Sequence, residues 1–247
     1  MSFVDDIRET IEGVLEQIDE NGQWVETNGP LIIDALAEAY LRVHPLDGWF
    51  VNPIADRAKA ELRKAVENLR SVYRLLKCEI QFMGSPDNLR AAADAIDTKA
   101  VEPARTLADE LVLGKIPSAL ASNYTDGEAS ERYVAAIDGR DAAVRDVDTY
   151  ASPVATALRD LADAIEEYYK TLRDLAIDFA GLVVSIVLII VGWETIVVGV
   201  IGIIGAVVAL VKMGFDIADF VGGTQGGTDA AREAFEAEVP AWPAVLS

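Results

Sequence analysis

The residues in this 247-residue chain whose types could do chemistry are few and poorly placed for it. There is one histidine, His44, and one cysteine, Cys78. A single His excludes an HExxH zinc site, a paired Glu-x-x-His di-iron site and any multi-His zinc site. His44 stands before Pro45 in a turn, and Cys78 lies in the helical run "YRLLKCEIQF", where it reads as a buried or half-buried thiol; a nucleophile-base pair between them is not expected. The carboxylates Asp160, Asp163, Glu166, Glu167 and Asp174 share one polar helix face with Arg159, Lys170 and Arg173. That pattern reads as surface i,i+4 partners rather than an acid/base site. "NYTDGEASE" and "DGRDAAVRDVD" lack the EF-hand spacing, and the glycines of "GVIGIIG" carry no Lys-Ser/Thr to meet a phosphate. The expectation is a protein that is not an enzyme and has no cofactor and no metal.

The elements that would have to position such residues are all helical. Phe3, Ile7, Ile11, Val14, Leu15 and Ile18 fall on one face of an N-terminal amphipathic helix. Gly and Asn in "NGQWVETNGP" predict its end, and Pro30 opens a second, short helix, "LIIDALAEAYLRV". "HPLDGWFVNP" reads as a turn. From Pro53 a long helix places Ile54, Ala58, Leu62, Val66, Leu69, Val72, Leu76 and Ile80 on one face. Ser85 and Pro86 cap the next helix. Helical patterns follow in "VEPARTLADELVL", break at "GKIPSALASNYTDGE", resume at "ASERYVAAIDGRDAAVRDVDTYA" and restart after a Ser-Pro cap at 152–153. No run alternates with a period of two. The fold class is all-α, an antiparallel helical bundle with a C-terminal hydrophobic helical hairpin.

That hairpin is the dominant feature. Phe179 to Trp193 carries no charge, Glu194 interrupts, and Thr195 to Val211 again carries none. Each arm falls a little short of the roughly 20 residues that span a bilayer, and one helix made of both would be about 50 Å long, too much for a bilayer. A turn at "GWET" is the simpler geometry, with Trp193 and Glu194 at a polar tip. Glu194 would stay hydrated there, and carrying it across a bilayer would cost several kcal/mol unless it were protonated. Gly199, Gly202 and Gly205 recur every third residue, and with Ala206 and Ala209 they form small-xxx-small pairs that permit close helix packing. The expected divisions are a bundle over 1–177, the hairpin over 178–213, and a Gly-rich flexible linker with a tail over 214–247.

Composition limits the partners. The chain has 41 acidic and 21 basic residues, a formal charge of −20, which repels a phosphate backbone and excludes nucleic acid as a partner. The N-terminus has acids where a secretory leader needs a basic region and lacks a continuous apolar stretch, so no cleaved signal peptide is expected.

"HPLDGWFVNPIADRAKAELRKAVENLRSVYRLL", set between a short helix and a long one, resembles the helix-turn-helix core of WXG-type substrates of type VII secretion. The resemblance covers about residues 1–115, with Trp49 in the tryptophan's place and Val51 where the family has glycine. "ALRDLADAIEEYYKTLRDLAIDFAGLVVSIV" is similar to larger substrates of that system. The resemblance implies export without a cleaved leader, a contact role for Trp49 and Phe50, and an export signal at Tyr124 and Glu128. The layout is also similar to pore-forming colicin domains, in which amphipathic helices surround an apolar hairpin. Three functional readings stay open: a secreted or surface-delivered protein whose hairpin (Phe179, Trp193, Glu194, Gly199, Gly202, Gly205) engages a lipid bilayer conditionally; a constitutive membrane-anchored scaffold or envelope protein; and a soluble interaction protein with the hairpin as its core, binding a helical partner or a second copy.

Overall fold

A computed structural model describes residues 3–81, 83–116, 127–192 and 196–237; within these, the side chains of 130, 196–198, 200 and 224–237 are not described. It is all-α: seven α-helices, with no strand among the described residues. They are α1 (Phe3–Val43), α2 (Gly48–Gln81), α3 (Pro86–Ile96), α4 (Glu102–Glu110), α5 (Glu128–Ile137), α6 (Arg140–Val191) and α7 (Ile196–Ala237). A 3-10 turn, Pro45–Asp47, links α1 to α2, and a π-turn, Asp97–Val101, joins α3 to α4.

The chain forms two compact units, Met1–Met83 with Tyr168–Ala237, and Gly84–Glu167. The apolar hairpin is thus part of the same unit as the N-terminal helices.

In the first unit, α1 and α2 form an antiparallel pair. Lys59 donates to Asp34 (2.8 Å) and Arg70 is bidentate to Glu26 (2.7 and 2.9 Å), so the pairing register holds along both helices. The apolar periods of the sequence become the seam: Ile7, Ile11, Val14, Leu15 and Ile18 on α1 and Ala58, Leu62, Val66, Leu69, Val72, Leu76 and Ile80 on α2 are buried, while Phe3 and Ile54 are half-buried. Contrary to the expected break, α1 runs through Gly22, Gly29 and Pro30 as one 41-residue helix. Packing explains the continuity. Gly29 is buried, and a methyl group there would lie 2.8 Å from Leu62 Cδ1 and 3.6 Å from Ile190 Cδ1. The glycine lets α1 approach its neighbours, and burial of Val25 and Ile33 on either side outweighs the local cost of Gly and Pro in a helix interior. Cys78 is exposed on α2, not buried, because its neighbours Leu76 and Ile80 take the inward positions.

The second unit is built from smaller side chains. Its buried residues are Pro86, Ala93, Val101, Ala104, Ala108, Ile137, Ala155 and Ala162, which bury little apolar area each. Ser85 caps α3 as expected, accepting from Asn88 N at 3.3 Å. The expected restart at Ser152-Pro153 does not occur: α6 runs through Pro153, and Ser152 donates to Asp148 (2.5 Å) instead of capping a helix. Arginines connect α6 to the rod made of α3, the π-turn and α4. Arg90 binds Asp163 (2.6 Å) and Glu166, Arg159 binds Asp94 (2.7 Å) and Asp97 (2.6 Å), Arg105 grips Asp148 (2.7 and 2.8 Å), and Arg145 reaches Asp109 (2.8 Å). On the carboxylate face of α6, Asp163 and Glu166 are thus reached from α3 by Arg90, while Asp174 pairs with Arg173 within α6.

Hydrogen bonds from Arg105, then from Ser152, hold the Asp148 carboxyl below its ordinary value of 3.8. A carboxyl depressed by folding adds stability above its unfolded pKa, and that contribution is lost as pH falls through the folded value. The pair is solvent-exposed, so its share is modest. Asp148→Asn is expected to lower the neutral-pH melting temperature slightly and to flatten its decline below about pH 4, read by circular dichroism. An unchanged acid limb would show that the pair adds nothing to stability.

Candidate functional site

Two apolar arms free of charge must be covered along their whole circumference or present a surface. The hairpin does some of each. α6 ends at Val191, Gly192 N donates to Leu188 O (2.9 Å), and α7 starts at Ile196. Trp193, Glu194 and Thr195 lie outside the described residues. The arms are antiparallel: Gly202 faces Ile189 near the tip, and at the feet the rings of Tyr168 and Phe220 stack at 5.1 Å with 10° between their planes.

One side of each arm is buried within the first unit, that of α7 chiefly against α2. On α6 that stripe is Leu172, Ala176, Phe179, Val183, Ile186 and Ile190; on α7 it is Gly199, Ile203, Val207, Leu210, Gly214, Ile217 and Val221. Both step by three or four residues, the helical period. Tyr168 donates to Glu79 on α2 at 2.9 Å, and Lys170 lies over the ring of Phe3 on α1, 5.3 Å from its centroid. The hairpin thus completes a four-helix arrangement with α1 and α2.

The opposite side is open. Leu188 and Val191 on α6 are each 64% exposed, and Ile201, Val208 and Phe215 on α7 are 60–66% exposed. Only 33% of the most apolar 18-residue window in the first arm and 28% of that in the second are buried, and by length and composition both helices could cross a membrane. A core helix would be mostly buried. These are large aliphatic and aromatic side chains, repeated at helical spacing along each arm, in a protein with a formal charge of −20. Large apolar side chains left exposed in such numbers on one hairpin point to an interaction site.

The predicted site residues divide by burial. Phe179 is fully buried, at the foot of the inward stripe of α6. Gly199 is buried, and Gly202 packs close to the other arm, where a methyl group would lie 3.2 Å from Ile189 Cγ2. Gly205 is exposed with nothing within 4 Å of the added group. The three glycines therefore do not form one packing face. The expected Gly-rich linker is helical instead, since the stripe Leu210, Gly214, Ile217, Val221 carries α7 inward contacts past the hairpin. Sequence reading missed this stripe, although its spacing was present.

Trp49 is 80% exposed in the first turn of α2, edge-on to Phe50 at 5.4 Å; Phe50 contacts Tyr40, whose ring lies 4.7 Å from that of His44. Tyr40 donates to Asp47 at 3.2 Å, and burial, then this carboxylate, pushes its phenol above the ordinary range. With Leu46 and Val43, both strongly exposed, Trp49 makes an apolar tip on the α1–α2 turn. Because Gly29 and Leu62 are level with Ile190, α1 and α2 run on beyond this level by about 15 residues, or 22 Å. Glu128 opens α5, where it pairs with Arg132, rather than lying in a loop; Tyr124 lies outside the described residues.

Among the described residues no three His, Cys, Asp or Glu side chains are placed to share a metal ion. His44 and Cys78 sit near opposite ends of α2. A groove of about 630 Å³ between α1 and α2 is walled by Arg8, Glu12, Tyr73 and Lys77 among others, with both signs of charge and no Ser, Thr, Cys or His. No family model, curated protein or solved structure matches the chain.

The division into inward and outward stripes makes opposite demands on similar residues. Phe179→Ala is expected to lower stability by about 3–5 kcal/mol through loss of buried contacts and the cavity left. Leu188→Ser should stay within about 0.5 kcal/mol. Denaturant unfolding of both variants checks this, and comparable losses would mean that the outward stripe is covered in solution.

Proposed function

We propose that this chain is a non-enzymatic, surface-delivered or secreted protein that engages a lipid bilayer through the α6–α7 hairpin. The observation that carries the reading is the outward stripe of Leu188, Val191, Ile201, Val208 and Phe215, left open by a bundle that buries the other side of the same two helices. Bilayer contact would cover Leu188, Val191, Ile201 and Val208 within arms that are free of charge, Phe179–Trp193 and Thr195–Val211, while Lys212 and Asp216 beside Phe215 would stay at the lipid–water boundary. Sheltering by α1 and α2 suits a form that reaches the membrane through water. The half-open face speaks against the hairpin as a fully covered core. It leaves constitutive anchoring as the alternative, which predicts dependence on detergent from the start.

Delivery without a cleaved leader follows the similarity to WXG-type substrates carried by Trp49, and the colicin-like layout supports conditional contact. The net charge shapes the conditions. A molecule of −20 is repelled by anionic headgroups at low ionic strength, so zwitterionic lipid, high salt, or acid that neutralises carboxylates should favour contact.

Flotation of detergent-free protein with zwitterionic and anionic liposomes, at pH 7 and pH 5 and at low and high salt, tests the reading. Co-flotation is expected in at least one high-salt or acidic condition and is expected to be lost in Ile201→Asp/Val208→Asp, whose changes lie on the exposed face. A monodisperse protein that never floats would overturn the proposal and turn the search to a helical protein partner or a second copy.

A further inference from the structure

The buried stripe of α7 contains one contact of a different kind. At Gly214 the helix meets not an apolar side chain but Asn68 of α2: a methyl group added there would lie 2.5 Å from Asn68 Oδ1, 2.6 Å from Nδ2 and 2.9 Å from Cγ. The Asn68 amide is therefore laid against the α7 backbone, and a side chain at 214 would require the amide to move. Around it the seam is apolar, with Ala65, Leu69 and Val72 buried on α2 and Leu210 and Ile217 fully buried on α7. Asn68 as a whole is half-buried, but its Oδ1 is buried in that seam with no hydrogen-bond partner among the described residues.

These two observations have a joint energetic meaning. A carbonyl oxygen taken out of water and left unpaired loses its hydration with no compensating bond. The penalty exists only while α2 and α7 are together; once they part, water satisfies the amide. Elsewhere the seam gains from apolar burial, so the α2–α7 contact is closed with a built-in bias toward opening at one point. We propose that the Asn68–Gly214 contact is the release point of the hairpin: α7 separates from α2 here when the hairpin passes from the sheltered form to lipid. This rests on the membrane reading above, and it identifies which seam must open.

The geometry supplies its own test. Because the Gly214 substituent position lies so close to the Asn68 side chain, a cysteine pair falls within the span of a disulfide, whose Cβ atoms are about 3.5–4.5 Å apart. Asn68→Cys/Gly214→Cys in a Cys78→Ser background, oxidised, staples α2 to α7. In the condition where the wild type floats, the oxidised protein is expected to lose at least tenfold in lipid-bound fraction and to regain it on reduction. Equal flotation of the oxidised and reduced forms would overturn the release point while leaving the membrane reading intact.

Asn68→Ala tests the energetic half without a disulfide, and it decides the matter if the cysteine pair disturbs the fold. Removing the unpaired carbonyl is expected to raise the melting temperature by about 2–4 °C and to reduce flotation under threshold conditions. A lowered melting temperature with unchanged flotation would show that the amide is merely a packing group. If the wild type floats nowhere, the membrane reading fails, and the melting shift of Asn68→Ala still reports whether the contact is biased toward opening.

Discussion

The first unit is organised by the need to cover a hairpin that is apolar on every side. Two amphipathic helices can shield only half of it. α1 and α2 each have one buried stripe, and much of that is used between themselves. What remains covers the inward faces of α6 and α7 and leaves the outward faces in water. The constraint reaches back into the N-terminal sequence. α1 must stay helical through Gly22, Gly29 and Pro30, because a break there would remove Val25, Gly29 and Ile33 from the seam that meets Leu62 and Ile190. Helix propensity, worth up to about 1 kcal/mol for a glycine, yields to burial worth more than that.

The second unit shows what this chain does when no apolar hairpin has to be housed. Alanines make up five of its eight buried residues among those described, and arginines reaching across from helix to helix supply specificity of register. Small buried side chains allow close helices but bring little hydrophobic free energy, and exposed ion pairs fix geometry more than they stabilise. The acidic bias of the composition appears here in structural form. Carboxylates outnumber their basic partners, so Arg90 and Arg159 each bind two acids.

Much of the fold was legible in the sequence wherever a local period matched the tertiary one. The apolar sets on the first and third predicted helices are the buried seam almost residue for residue, because a long amphipathic helix has only one face to bury. The Ser85-Pro86 cap was legible for the same reason, since its bonding is complete within four residues. Reading failed where a local signal competed with distant packing. Pro30 and Pro153 look like helix starts and lie inside helices; Gly222 and Gly223 look like a linker and continue α7. Cys78 was placed inside by its apolar neighbours, yet a helix turns about 100° per residue, and Leu76 and Ile80 already occupy the inward direction. Asn68 gave no signal at all. Its meaning depends on Gly214, nearly 150 positions away, and on there being no donor for its Oδ1 among the described residues.

The glycine repeat of α7 shows the limit of a motif read without its neighbours. A step of three residues turns the helix by about 300°, so each successive glycine is displaced by roughly 60° from the last. Gly199, Gly202 and Gly205 therefore sweep about 120° around α7 and cannot serve one flat interface. The observed sequence is the one this geometry requires: Gly199 inward, Gly202 beside Ile189 of the other arm, Gly205 outward with open space before it. The first two admit close neighbours inside the chain. Gly205, with the exposed Ala209 one turn on and Ile201 and Val208 around them, gives the outward face low relief at its centre and bulk at its edges. Packing within the chain accounts for two glycines of the three; at the third the structure leaves open space.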